Sequence, residues 1–230
     1  EYYAFMLLSL AGMMLVCTAR DLIWLFLALE LTSLPTYVMV AMSRNSRRGE
    51  EAAMKYFFLG AMSAAVFLYG FALIYAATGT VEFQPMRDIL RAQVADGGLG
   101  SLPIAGLILA LFGISYKLAA APLHLYAADV YEGAAAPVTA FLGFVPKAAG
   151  ALALMVLLSA SGLSETMSTL PYPLLIMFWV MAVLTMTLGN IGALLQRSTK
   201  RMLAYSSIAH SGYLLIGIIA GPGLGYAAVL

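Results

Sequence analysis

The sequence has few charged residues and almost no cysteine. Charged side chains make up 10% of the 230 residues, and Cys17 is the single cysteine. A soluble domain usually has about 25% charged residues, so the deficit indicates a membrane protein. One cysteine cannot form a disulfide framework or a metal site by itself. The net charge of +1 gives no reason to expect a nucleic-acid partner.

Common catalytic and cofactor-binding motifs are also missing. The sequence has no Gly-rich phosphate loop after a strand, no HExxH pattern and no CxxC pattern. We therefore expect no cofactor and no metal site in this chain. Any chemistry must use carboxylates, lysine, histidine and water.

Apolar residues form 63% of the chain and are concentrated in seven runs long enough to cross a bilayer. The runs lie at about 2–19, 22–43, 52–77, 102–127, 137–161, 171–195 and 202–220. Because no ten-residue alternating pattern recurs, we predict an all-α, multi-pass transmembrane helix bundle. We expect residues 1–230 to be one membrane domain that forms the central part of a longer subunit. We expect no signal peptide at the start of this sequence.

The longest link, residues 78–101, contains an amphipathic segment. Met86, Leu90 and Val94 share one helical face, whereas Asp88 lies on the other. This pattern predicts a short helix in the membrane interface.

Basic residues are distributed unequally between the two ends of the predicted spans. Alternating spans place six on one side and three on the other, namely Arg44, Arg47, Arg48, Arg197, Lys200 and Arg201 against Arg20, Arg87 and Arg91. Because Lys and Arg are enriched in cytoplasmic loops, we predict that the first residue is cytoplasmic.

Several ionisable residues lie within the predicted spans: Glu30, Lys117, His124, Lys147, His210 and, near the start of a span, Lys55. At about 1.5 Å per residue, Lys117 lies roughly 21 Å in from Pro103, and Lys147 roughly 15 Å in from Pro137. The hydrocarbon core is about 30 Å thick. A charge at its centre costs at least about 2.5–3.5 kcal/mol, which favours a functional interpretation.

Structural interpretations compete with the functional one. Lys55 is close enough to a helix end to reach the headgroups as a snorkelling lysine. Lys117 or Lys147 could instead form an ion pair with Glu30 that only stabilises the fold. His210 lies on a small, polar helix face, which favours an interhelical hydrogen bond over proton transfer.

Prolines lie close to the deepest charges. Pro122 cannot donate to the carbonyl of Leu118, so we expect the helix to break near Pro122, about one turn beyond Lys117. The other two deep charges, Glu30 and Lys147, also have a proline within a turn or two. Broken helices persist at membrane depth only where protein or water satisfies the freed backbone. Water at such defects would join the titratable groups into a proton path.

Four segments resemble one known family, in the same order along the chain. They read LALELTSLPTYV, EEAAMKYFFLGAMSAAVFLYGFALIYAATGT, PLHLYAADVYEGAAAPVTAFLGFVPKAAG and KRMLAYSSIAHSGYLLIG. These segments are similar to subunit N of bacterial NADH:quinone oxidoreductase (respiratory complex I), whose mitochondrial counterpart is NADH dehydrogenase subunit 2. The resemblance implies an antiporter-like, proton-translocating unit of the membrane arm.

The resemblance also implies roles for individual residues. Glu30 matches the family's buried carboxylate, and Lys55 matches its lysine partner on the following helix. Lys117 matches the central lysine of the broken helix, His124 lies farther along the same element, and Lys147 matches the connecting lysine of the next helix. These five residues are therefore expected to carry proton transfer. The sequence departs from the family pattern at Tyr126, which stands in place of tryptophan, and no expected proton carrier is lost.

Partners and location follow from the same resemblance. We expect other membrane-arm subunits, including neighbouring antiporter-like subunits, together with lipid, protons and internal water, in the bacterial cytoplasmic (inner) membrane. The chain would be part of an enzyme, but NADH oxidation and quinone reduction would occur in other subunits. Two alternatives stay open: a subunit of a multi-subunit cation/proton antiporter, and an inert membrane scaffold.

Overall fold

A computed structural model describes residues 1–43, 47–163 and 170–230. Arg44, one of the basic residues used to predict the topology, lies outside the described residues, and so does the side chain of Arg48. The described residues form ten α-helices: α1 (Tyr2–Cys17), α2 (Leu22–Ala41), α3 (Arg47–Thr78), α4 (Phe83–Ala95), α5 (Ser101–Ser115), α6 (Ala127–Gly133), α7 (Ala136–Ser161), α8 (Tyr172–Leu194), α9 (Thr199–Ile219) and α10 (Leu224–Val229). The all-α prediction is confirmed.

Six of the described helical segments are long and apolar enough to cross a membrane. They are α2, most of α3, α5 with the turn that follows it, α7, α8 and α9. The first predicted span is α1, a shorter apolar helix of 16 residues. The predicted number of about seven spans is therefore approximately confirmed. The run at 102–127 differs, because only its first part is a continuous helix.

Hydrogen bonds between the links place the helix ends in two groups. The backbone N–H of Phe83 donates to the carbonyl of Arg20 at 2.9 Å, so the links after α1 and α3 meet. Elsewhere, the Lys200 ammonium donates to the carbonyl of Ala134 at 3.1 Å, so the links before α7 and α9 meet. Helices that alternate in direction would produce this grouping, with Arg20 and Lys200 at opposite ends.

Local sequence signals explain where several helices begin and end. The Asp21 carboxylate caps α2 by accepting a hydrogen bond from the Trp24 N–H at 2.6 Å. Gly162 ends α7 in the left-handed conformation, with φ of 71°. The predicted amphipathic helix is present as α4, with Met86 buried on its inner face, whereas Val94 is exposed.

Buried side chains form two clusters that meet at the end of α5. One cluster is dominated by aliphatic residues and phenylalanine from α2, α3, α5, α7 and α8. The other contains five tyrosines: Tyr37, Tyr56, Tyr116, Tyr126 and Tyr131. The tyrosine-rich cluster surrounds the interruption that follows α5, and this interruption carries the first deep lysine.

Candidate functional site

The helix that carries Lys117 is interrupted at the lysine itself. After α5 ends at Ser115, a 3-10 turn covers Tyr116–Leu118, and Ala119 adopts a left-handed φ of 55°. The prediction of a broken helix is confirmed, but the position one turn beyond Lys117 is wrong. The Ala119 N–H donates to the Tyr116 carbonyl and the Ala120 N–H to the Ser115 carbonyl, so α-helical bonding ends before the Leu118 carbonyl that Pro122 frees.

Two neighbouring helices satisfy the backbone groups that the break frees. The Ser211 hydroxyl on α9 donates to the Leu118 carbonyl at 2.5 Å. The Thr185 hydroxyl on α8 accepts from the Ala121 N–H at 2.8 Å. An unsatisfied backbone group in a bilayer costs several kcal/mol, so these hydroxyls are what makes a break at this depth possible.

Lys117 and Glu30 form a buried ion pair. The Lys117 Nζ atom lies 3.4 Å from Glu30 Oε1 and also donates to the Ser33 hydroxyl. The side chains of Lys117 and Glu30 are 3% and 18% exposed. At this separation and an effective dielectric constant near 20, the Coulomb attraction is about 5 kcal/mol. The structure therefore contains the ion pair between Lys117 and Glu30 that the sequence left open as an alternative.

The backbone of α7 passes close to the Lys117 side chain at Gly150. A Cβ atom added at Gly150 would lie 2.7 Å from the Cβ of Lys117. Such a contact is shorter than side-chain carbons tolerate, so Gly150 is what lets α7 pack against the turn that follows α5.

Lys147 is also buried but has uncharged partners. Its Nζ donates to the Ser207 carbonyl at 2.7 Å, to the Ser207 hydroxyl at 2.6 Å and to the Ser211 hydroxyl at 2.9 Å. The alternative of an ion pair between Lys147 and Glu30 is wrong, because Glu30 lies against Lys117 and the Lys147 amine reaches α9 instead. Ser211 therefore contacts both Lys147 and the freed carbonyl next to Lys117.

The two lysines line one small cavity. Its volume is about 10 Å³, and three tyrosines, Tyr56, Tyr126 and Tyr131, contribute to its wall. One water needs a volume of about 10–15 Å³ and two to four polar partners. The cavity therefore has about the size of one water molecule and lies between the side chains of the two lysines.

The helices continue through the other two prolines near deep charges. Pro35 lies inside α2 and Pro146 inside α7. Of the three deep charges, only Lys117 has a helix break beside it in the described part of the chain. Pro35 and Pro146 each leave one helical hydrogen bond unmade without ending the helix, so the defects near Glu30 and Lys147 are single freed carbonyls within continuous helices.

Lys55 is separate from this buried group. Its Nζ lies 2.8 Å from Asp129 Oδ2 and 2.5 Å from Glu51 Oε1, and its side chain is 42% exposed. The expected pairing of Lys55 with Glu30 is wrong as a direct contact. Lys55 lies on the face of α3 that meets α6, whereas Glu30 reaches the turn after α5.

Asp129 is shared between two cations. Arg201 Nη1 lies 2.9 Å from Asp129 Oδ1 and 3.1 Å from Glu132 Oε2. Burial by itself would raise the pKa of Asp129, but the hydrogen bonds and charges of Lys55 and Arg201 lower this pKa below its usual range. These ion pairs join α3, α6 and α9 at the end of the bundle that contains Lys200.

The two histidines lie outside these groups. His124 is half-buried between the break and α6, and its Nδ1 has no hydrogen-bond partner among the described residues. His210 is exposed on α9, with its ring centroid 5.5 Å from that of Tyr213 on the same helix. In the residues that the structure covers, no group of three or more His, Cys, Asp or Glu side chains could hold a metal ion.

Sequence reasoning missed the hydroxyl groups around the two lysines. Ser33 lies three residues after Glu30, and Ser207 and Ser211 lie four residues apart. Helical residues three or four apart share a face, so this spacing could have placed the serines beside the buried charges. Nothing in the spacing predicts which lysine Ser207 and Ser211 bind, because Lys147 is on a different helix.

Comparisons with known proteins identify the family of the chain. A family model described as NADH:quinone oxidoreductase/Mrp antiporter, transmembrane, matches residues 19–230. Among curated relatives, NADH-quinone oxidoreductase subunit N of Trichlorobacter lovleyi is 44% identical over 100% of this chain and 46% of its own length. Subunit N 1 of Chloroherpeton thalassium is 45% identical over 100% of this chain and 47% of its own length. The chain thus spans about half the length of these relatives.

Solved structures show the same similarity. A chain of respiratory complex I from Thermus thermophilus is 36% identical, with a TM-score of 0.78 over 97% of this chain and 47% of that one. A chain of the Mrp complex from Dietzia sp. is 25% identical, with a TM-score of 0.79 over 93% of this chain and 38% of that one. On the extent of the family match and the identity to its relatives, this chain belongs to the NADH:quinone oxidoreductase/Mrp antiporter transmembrane family.

Proposed function

We propose that the chain is the central part of a proton-translocating membrane-arm subunit of an NADH:quinone oxidoreductase. The observation that carries the proposal is the buried Glu30–Lys117 pair, whose lysine lines one cavity together with a second buried lysine, Lys147. The relatives named subunit N support the assignment to this complex. The chain would act as one membrane domain that holds no redox centre.

Lys117 is proposed as the switched proton carrier. While Glu30 is ionised, its attraction of about 5 kcal/mol favours the ammonium form of Lys117. When Glu30 is protonated or moves away, burial favours the neutral amine, and the ammonium loses a proton. Water in the shared cavity would accept this proton and pass it to neutral Lys147, whose ammonium form has three oxygen acceptors.

Lys55 and His124 have less direct proposed roles. Lys55 would act through Asp129 on α6, the helix that continues from the break, and so would influence how the Lys117 turn is held. His124, in the segment between Lys117 and α6, is proposed as a further proton carrier.

The location and partners are proposed from the same family relationship. The subunit would lie in a bacterial cytoplasmic membrane, with its first residue and the Lys200 end of the bundle on the cytoplasmic side. Its partners would be other membrane-arm subunits, including neighbouring antiporter-like ones.

Replacement of Lys117 in the complete subunit tests the proposed function. Lys117→Met should sharply reduce NADH-driven proton pumping in membrane vesicles while the complex still assembles. Lys117→Arg should also impair pumping, because a guanidinium does not release its proton. The matched control is Lys200→Met, which removes a lysine that donates to a backbone carbonyl near the helix ends. Wild-type pumping by an assembled Lys117→Met complex would contradict the proposal.

A cation/proton antiporter subunit is the second candidate, favoured by the structural similarity to the Mrp complex. Neighbouring genes distinguish the two, because only the first candidate requires genes for redox subunits in the same genome region. Vesicles provide the direct test. Cation-driven proton exchange in the absence of NADH would favour the antiporter. An inert scaffold would show normal transport in every lysine variant.

A further inference from the structure

Tyr126 is packed between two other tyrosines beside the Lys117 turn. Its ring centroid lies 5.2 Å from that of Tyr56, with the ring planes 14° apart. On the other side it lies 4.4 Å from the ring centroid of Tyr116, with the planes 31° apart. The Tyr126 side chain is 7% exposed, so its hydroxyl needs a partner inside the protein.

That partner is the backbone of the Lys117 turn. The Tyr126 hydroxyl donates to the carbonyl of Tyr116 at 3.0 Å, and the same carbonyl accepts from the Ala119 N–H at 2.8 Å. The hydroxyl of Tyr116 in turn donates to the Tyr56 carbonyl on α3 at 3.1 Å. Tyr116 directly precedes Lys117, so these bonds hold both ends of the turn from which the lysine side chain extends.

We propose that Tyr126 is a positioning residue for Lys117. Its hydroxyl holds the Tyr116 carbonyl so that the lysine amine reaches Glu30 while the side chain lines the cavity shared with Lys147. This inference rests on the proposed function, because it assigns the position of Lys117 a role in pumping. Core packing is the competing explanation, and it assigns the role to the Tyr126 ring and none to its hydroxyl.

The family resemblance implies tryptophan at the position of Tyr126, and tryptophan carries a single N–H donor on its indole ring. The bond from the para position of a phenol to the Tyr116 carbonyl therefore requires tyrosine. Removal of the hydroxyl should leave that carbonyl with only its Ala119 bond and should loosen the turn.

The first test compares two Tyr→Phe changes in the complete subunit within the assembled complex. Tyr126→Phe keeps the stacked ring and removes only the hydroxyl, and we expect NADH-driven proton pumping to fall at least about twofold, as for a lost buried hydrogen bond. Tyr226→Phe on α10 is the matched comparison. The Tyr226 hydroxyl is buried without a hydrogen-bond partner among the described residues and lines a different pocket. Pumping by Tyr226→Phe should stay close to the wild-type rate.

A donor series separates positioning from packing. Para-aminophenylalanine at position 126 keeps a donor at the end of the ring and should restore pumping. Para-fluorophenylalanine fills the same space without a donor and should pump as poorly as Tyr126→Phe. It also serves as the second variant if Tyr126→Phe does not assemble. Wild-type pumping by the assembled fluoro variant would overturn the inference.

Combination with Lys117→Met shows whether Tyr126 acts through the lysine. In that background, Tyr126→Phe should cause no further loss of the residual pumping. A further loss of the same factor as in the wild type would show that Tyr126 acts independently of Lys117, and would overturn the inference. The two proposals fail differently, since normal pumping by Lys117→Met contradicts the proposed function, whereas normal pumping by Tyr126→Phe contradicts only the positioning role.

Discussion

The Lys117 ammonium lies 3.4 Å from the Glu30 carboxylate, although the two residues are 87 positions apart in the sequence. The contact joins α2 to the turn after α5. It places a carboxylate beside Lys117, the deep lysine whose backbone forms a 3-10 turn instead of an α-helix. This geometry makes the pair, rather than either residue alone, the unit that mutations should test.

The Glu30–Lys117 pair should show strong energetic coupling. Removal of one partner of a buried ion pair leaves an uncompensated charge and costs about 3–5 kcal/mol. Glu30→Gln and Lys117→Met should therefore each lower the temperature at which the purified complex denatures. The double variant should lose much less than the sum of the two, because no lone charge remains. Additive losses would show that the pair contributes no coupling.

Gly150→Ala should disturb Lys117 without touching a charge. The new methyl group would lie 2.7 Å from the Lys117 Cβ, so either the turn or α7 must shift. We expect NADH-driven proton pumping to fall, whereas the ability of the other subunits to oxidise NADH should stay normal. Gly143→Ala on the same helix is the matched control, because its methyl group would lie 3.9 Å from the nearest side-chain atom. Both changes raise helix propensity by about 1 kcal/mol, so their difference reports crowding alone. Equal pumping in the two variants would contradict the prediction.

Lys55 should be coupled to Asp129 and not to Glu30. The Lys55–Asp129 distance is 2.8 Å, and both side chains are partly exposed. Exposed pairs of this kind are screened by water, so we expect a small but measurable coupling between Lys55→Met and Asp129→Asn in pumping and in heat stability. A double-mutant cycle that combines Lys55→Met with Glu30→Gln should give a coupling close to zero, because the two side chains are not in contact. A larger coupling with Glu30 would restore the pairing expected from sequence.

Single cysteines should report the orientation of the bundle. In a Cys17→Ala background, a cysteine replacing Thr199 should react with an impermeant thiol reagent from the cytoplasmic face only. A cysteine replacing Ala92 should react from the opposite face only. Both positions are exposed, and they lie at the opposite ends of the bundle that contain Lys200 and Arg20. The reverse pattern of labelling would invert the proposed topology.

Sequence alone determined the class of structure because membrane insertion constrains every residue of a span. Long apolar runs and few charges identify a helical membrane bundle, and six of the seven runs lie along a single helix each, whereas the run at 102–127 is interrupted after Ser115. The cost of a charge in hydrocarbon also marked Glu30, Lys117 and Lys147 as residues that need partners. Pro122 also marked the broken segment, although Pro35 and Pro146 remove a backbone donor in the same way without ending α2 or α7.

Only the tertiary structure decided which partners those residues have. Glu30 pairs with Lys117, Lys55 pairs with Asp129, and Lys147 binds hydroxyl and carbonyl oxygens of α9. Each of these contacts joins residues that are between 60 and 87 positions apart, and their formation depends on how the helices rotate and pack. Local pattern carries no information about that rotation. The same reason applies to the helix break, because Ser211 and Thr185 from distant helices satisfy its freed backbone groups.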